Sequence, residues 1–191
     1  TLFYFHPLKK NAVSRHGEEL HEARAADFFE GARAIFLQRG GRAADRAYLY
    51  GFVCHFALDS ECHPYIEDRI NQSGIAHTKI EGEFDRMLLV EDGKDPVRQS
   101  LVPHIHPTEE NSEVIAAFFP NTTPDQVKAA LEDMLKYNDL LVCPGWLKRR
   151  LVIRALKKSG NYDDMIGLLL NAEGDTRCDE SNARLKELYD G

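Results

Sequence analysis

Gly51-Phe52-Val53-Cys54-His55-Phe56-Ala57-Leu58-Asp59-Ser60-Glu61-Cys62-His63-Pro64-Tyr65 joins an apolar run to three evenly spaced polar side chains. His55, Asp59 and His63 stand at i, i+4 and i+8. Residues four apart share one face of a helix, with successive Cα atoms roughly 6 Å apart. That is the reach for one metal held by neighbours, or for a carboxylate bridging two metals. The surrounding helix, from Ala43 to about Ile70, holds Ala47, Tyr48, Tyr50, Gly51, Val53, Cys54, Ala57 and Leu58 and shows little polar surface. A helix apolar all round is expected to be a buried central one. Polar groups inside it are costly unless satisfied. Pro64 sits late in the segment, where it would bend or end the helix.

Asn71-Gln72-Ser73-Gly74 reads as a turn, and a second helix from about Ile75 to Val90 repeats the spacing with His77 and Glu81. Five N and O donors on two helices joined by a short turn can converge in a bundle. Imidazole and carboxylate without thiolate suit zinc or a similar divalent ion that keeps an exchangeable water. The competing reading is two private pairs, His55 with Asp59 in the core and His77 with Glu81 on the surface.

Outward from this pair, the other long segments also read as helix. From Glu18 to Gln38 the apolar residues Leu20, Ala23, Phe28, Ala32 and Ile35 recur at helical spacing, and Gly40-Gly41 stops the run. Glu91 to Pro96 and Pro103 to Pro107 are loops, and Thr108 to Phe119 is helical. Thr123-Pro124-Asp125-Gln126 is a capping box with proline at the first helical position, opening a helix to about Leu141. Cys143-Pro144-Gly145 breaks it, and helices follow over Trp146 to Lys158, Tyr162 to Asn171 and Asp175 to Leu188. With no strand pattern and no repeat, the expected fold is a single all-α bundle spanning residues 1–191.

The chain has 191 residues, 43% of them apolar, and a net charge of −7. Such a chain supports one core of ordinary size. The acidic balance argues against double-stranded nucleic acid as a partner and against general electrostatic attachment to anionic membranes. A small anion can still bind where a metal reverses the local field. No run approaches the roughly 18 apolar residues of a spanning helix. Thr1 to Phe5 is too short for a signal peptide, with Lys9-Lys10 behind it rather than ahead. The chain starts without Met in the middle of an aromatic run and reads as truncated before Thr1, where a leader or further ligands would lie. Cys54, Cys62, Cys143 and Cys178 form no C-x-x-C pair. Cys54 and Cys62 would lie roughly 12 Å apart along a helix, too far for a disulfide. Four reduced thiols favour a reducing compartment, the cytoplasm.

Other polar groups are candidates of lower rank. His21, expected on the inner face of the first helix, ranks above His16 as an added ligand; His6 reads as a packing residue. His104 and His106 flank Ile105 in a loop that reads as solvated. Lys148, Arg149, Arg150, Arg154, Lys157 and Lys158 read as a solvated basic helix face.

The 51–65 segment, followed by His77-Thr78-Lys79-Ile80-Glu81, resembles the bacterial zinc-dependent phospholipase C family. That family shares an all-helical fold and a three-zinc site with P1-type nucleases. The His-x-x-x-Asp and His-x-x-x-Glu steps are its most specific features, and both are intact. Phe3-Tyr4-Phe5 and the His21 segment are similar to the family's shorter, uncharacterised members, and the resemblance covers roughly residues 1 to 90. It implies a phospholipase C/P1 nuclease-like bundle with two or three Zn2+ ions. It implies ligands His21, His55, Asp59, His63, His77 and Glu81, with Asp59 bridging. In the well-known enzymes the histidine after the Asp comes slightly later than His63 does here.

The activity this implies is hydrolysis of a phospholipid head-group ester by metal-activated water, with Asp59 and Glu81 the catalytic carboxylates and transient contact with a membrane surface. Glu61 and Glu67 are candidate bases outside the ligand set. A P1-like nuclease or 3'-nucleotidase, stacking bases on Tyr48, Tyr50 or Tyr65, is one alternative. A non-catalytic, metal-stabilised binding domain is the other.

Overall fold

A computed structural model describes residues 2–7, 11–160, 162–169 and 179–191. Among them the chain is helical, with no strand: α1 Ala12–Glu22, α2 Ala25–Gln38, α3 Ala43–Ser73, α4 His77–Glu91, α5 Glu109–Ala117, α6 Pro124–Leu141, α7 Trp146–Ser159, α8 Tyr162–Met165 and α9 Asp179–Asp190. Short 3-10 turns lie at Leu2–Tyr4 and Ile166–Leu168. The expected all-α class holds, and the phospholipase C/P1 nuclease-like fold is consistent with it. Cys178, and the start of the helix expected from Asp175, lie outside the described residues.

Residues group into two compact units, one built from 1–54 and 102–137, the other from 55–101 and 138–191. In the first, Leu2, Val13, Ile115, Phe119, Val127 and Leu131 form the core, with Phe28, Tyr48 and Phe52 packed against it. Phe28 meets Phe52 at 4.6 Å, and Tyr48 stacks on Phe118 at 5.6 Å. Packed half-buried against this core, the Tyr48 ring is a packing residue rather than an open base-stacking platform, and burial drives its hydroxyl upward in pKa.

The segment expected as one helix over 18–38 is two. Asn11 begins α1 early by a reciprocal cap: its side chain accepts from the Ser14 N–H at 2.9 Å, and the Ser14 hydroxyl accepts from the Asn11 N–H at 3.3 Å. The chain then becomes extended at Ala23 and Arg24 before α2 starts. Periodicity carried across this break because Leu20 and Phe28 both reach the same core. After α2, Gly40 and Gly41 take φ of 79° and 66°, a region open to glycine without strain. Arg39 folds back over that turn and grips the fully buried Asp45 through two bonds of 2.9 and 3.0 Å.

In the second unit, Cys62 and Ile66 of α3 meet Ile80 of α4 and Leu185 of α9. A separate cluster of Cys143, Ile166 and Leu169 takes the α7 residues Val152, Ile153 and Leu156. Cys54, Cys62 and Cys143 are free thiols.

Helix α3 continues through Pro64, as the expected range to about Ile70 requires, and ends at Ser73. One expectation for α3 needs correction. Its middle is not buried: Tyr50, Val53, Cys54, Phe56 and Leu58 are exposed. Apolar content tells how much surface a helix could bury, whereas actual burial depends on the neighbours it receives. Within α3 the buried residues are Asp45 in the first turn and Cys62 and Ile66 further along.

Candidate metal centre

The polar row of α3 lies beside its apolar row, and the same is true of α4. Cys62 and Ile66 pair with Ile80, which is 0% exposed, and this seam sets the register of the two helices. Beside this seam, Asp59 and His63 of α3 come together with His77 and Glu81 of α4. The connection is short and locked. Gly74 takes φ +68°, its N–H bonds to the Ile70 carbonyl at 2.8 Å, and the Ser73 hydroxyl accepts from the Ile75 N–H at 3.2 Å. Helix α4 starts at His77 directly after Ala76 in extended conformation.

His63 Nε2 lies 3.1 Å from Asp59 Oδ1 and 3.8 Å from Glu81 Oε1, and His77 Nε2 lies 2.9 Å from Glu81 Oε1. The two imidazoles meet edge to face, centroids 5.0 Å apart. His63, His77 and Glu81 each offer a donor atom within 4.8 Å of the others, and no other such triad occurs among the described residues. Zinc with bonds near 2.0–2.1 Å in tetrahedral geometry separates its donors by about 3.3 Å. The two distances to Glu81, 2.9 and 3.8 Å, bracket that spacing, and two imidazoles with a carboxylate are a donor set that suits zinc. The idea of a private His77–Glu81 surface pair is too narrow: His63, from the neighbouring helix, joins it.

The remaining expected residues are placed differently. His55 stands one turn before Asp59, exposed and outside the triad. His21 belongs to the first unit, where its ring tilts against Phe3 at 5.9 Å. It is exposed rather than inward, because Val13 and Gly17 form the buried face of α1. His16 is the more enclosed of the two, with Nδ1 3.9 Å from Glu19 and Nε2 buried. His6 does more than pack, since its N–H donates to Asp133 at 3.0 Å. His104 and His106 are both exposed, as expected of a solvated loop. Glu61 and Glu67 are exposed and outside the triad. Tyr65 packs against the Cys62–Ile80 cluster.

Two residues were not anticipated. Gly167 presses on the first turn of α4: a methyl group built there would overlap the Thr78 carbonyl and the Lys79 nitrogen. No local signal in the sequence marks this approach. Asp85 was within reach of periodicity, since it continues the 77–81 row by one more turn.

Burial first, and then the Glu81 charge, push the Asp85 carboxyl from 3.8 up to about 6. Because the folded pKa is raised, the folded chain keeps this proton while the unfolded chain releases it. Metal-free protein therefore loses stability as pH climbs from about 4 to 6, and the penalty persists above that. Asp85→Asn should flatten this window and stabilise the metal-free protein at pH 7 by on the order of 2 kcal/mol. Denaturant titrations at a series of pH values check it, and parallel curves for variant and parent would refute it.

A family model described as zinc dependent phospholipase C matches residues 2–133. The match extends beyond residue 90, where the resemblance read from motifs alone had stopped. No curated protein and no solved structure matches the chain.

Proposed function

This chain belongs to the zinc-dependent phospholipase C family, and from that premise we propose that it hydrolyses a lipid head-group phosphodiester with zinc held between α3 and α4. The observation that carries the reading is the meeting of His63, His77 and Glu81 across two helices. Two imidazoles and one carboxylate leave a coordination position open, as catalytic zinc sites do and structural ones do not. Zinc bound there would polarise a phosphoryl oxygen and lower the pKa of a coordinated water. The chain's own residues supply the rest. His63, His77 and Glu81 act as ligands. Asp59, within hydrogen-bond reach of His63, is the proposed bridge to a second ion, and His55 the next donor along the same row. Asp59 and Glu81 would thus be the carboxylates that hold the metal beside a bound phosphate.

Chelator-stripped protein should be inactive. Added zinc should restore release of the phosphorylated head group from short-chain phosphatidylcholine. Activity indifferent to zinc would overturn the reading, as would cleavage of single-stranded nucleic acid without action on the lipid.

A further inference from the structure

The acidic average of the chain hides one sharply basic element. Helix α7, Trp146-Leu-Lys-Arg-Arg-Leu-Val-Ile-Arg-Ala-Leu-Lys-Lys-Ser159, carries six basic residues and no acidic one in a protein of net charge −7. It lies outside the 2–133 stretch that matches the family. None of its residues is buried. Its inner side rests Val152, Ile153 and Leu156 on Cys143, Ile166 and Leu169.

The opposite side combines large apolar groups with charge. Leu147 and Leu151, one turn apart, are 55% and 59% exposed, and Trp146 at the helix start is 73% exposed. Arg150, Arg154 and Lys158 share this side, exposed, with no ion pair among the described residues. Lys148 is already engaged, donating to the Asp139 and Val142 carbonyls at 2.6 and 2.7 Å, and Lys157 lies over the Tyr162 ring.

Leucines and a tryptophan set among arginines and lysine match the interfacial helices that lie on bilayers, with apolar groups entering the headgroup boundary and cations on lipid phosphates. A nucleic-acid face would gain nothing from two leucines at its centre. We propose that α7 docks the protein on an anionic phospholipid surface through Trp146, Leu147, Arg150, Leu151, Arg154 and Lys158. This rests on the lipid-hydrolase reading and adds to it the face that meets the bilayer. One stretch links that face to the metal centre. Ile166 and Leu169 touch the inner side of α7, while Gly167 between them abuts Thr78, next to His77.

Trp146 is the chain's single tryptophan, so its fluorescence reports the docking directly. Emission should shift to the blue on adding vesicles rich in phosphatidylserine, and much less with pure phosphatidylcholine. Each of Arg150→Gln, Arg154→Gln and Lys158→Gln should weaken partitioning about fivefold at low salt. Leu147→Ser combined with Leu151→Ser should reduce it further, with helix content by circular dichroism unchanged because the positions are exposed. All these variants should hydrolyse monomeric short-chain phosphatidylcholine at the parent rate.

An unshifted emission on every vesicle overturns the proposal. So does equal binding by the leucine pair variant, or quenching by single-stranded nucleic acid instead of lipid. Vesicle binding without hydrolysis of any lipid would instead sink the function and leave the docking face standing.

Discussion

Replacing His77 with alanine should strip the protein of tightly held zinc and cut head-group hydrolysis by more than two orders of magnitude. Losing a group that merely orients a ligand already costs about 10–100-fold in affinity or activity, and His77 is itself a proposed ligand. Its Nε2 lies 2.9 Å from Glu81, and its ring meets His63 edge to face. With the imidazole gone, one nitrogen and one carboxylate oxygen of the triad remain. The fold should hardly notice. The His77 side chain is 37% exposed, and the seam beneath is made by Ile80, Cys62 and Ile66. Elemental analysis after dialysis and activity across a zinc series measure the two effects separately. Zinc content equal to that of the parent would remove His77 from the site. Glu81→Gln provides the matched case, keeping shape while deleting the charge.

Gly167→Ala should be the most damaging single methyl group in the second unit. The added carbon would sit inside the Thr78 carbonyl, so a backbone must move rather than a side chain. Overpacking of cores costs about 1–3 kcal/mol when side chains can yield, and about 3 kcal/mol or more is expected where they cannot. The displaced segment is the first turn of α4, which carries His77, so zinc affinity should fall about 10–100-fold as well. Thermal melts with and without zinc read both quantities. Gly31→Ala is the control: nothing lies within 4 Å of its methyl group, and a helical Gly→Ala exchange there should stabilise by about 0.5–1 kcal/mol. Equal tolerance at the two glycines would show that the 166–168 turn does not hold α4.

Much of the helical layout was readable from local chemistry. The Thr123–Gln126 capping box closes as expected, with Gln126 accepting from the Thr123 N–H at 2.9 Å and Thr123 accepting from the Gln126 N–H at 3.3 Å. Thr108 caps α5, and Gly145 immediately precedes α7. These features depend on residues within one turn of each other. The α1–α2 break was missed because its apolar residues serve one core on both sides of it.

The 51–65 stretch and its partner at 77–81 determined by themselves which residue types share a face, because the helical repeat is a property of the backbone alone. Four-residue spacing was enough to put His55, Asp59 and His63 on one face and His77 with Glu81 on another, but it offered His55 rather than His63 as the private partner of Asp59. The structure places His63 3.1 Å from Asp59 and His77 2.9 Å from Glu81. Only tertiary structure decided that His63 also meets Glu81, since that contact depends on how Cys62, Ile66 and Ile80 pack. It likewise decided that Gly167 braces the site and that Leu147 and Leu151 face outward while Val152 and Leu156 face in. Each of these outcomes depends on a neighbour distant in sequence, and a local pattern carries no record of which face that neighbour will cover.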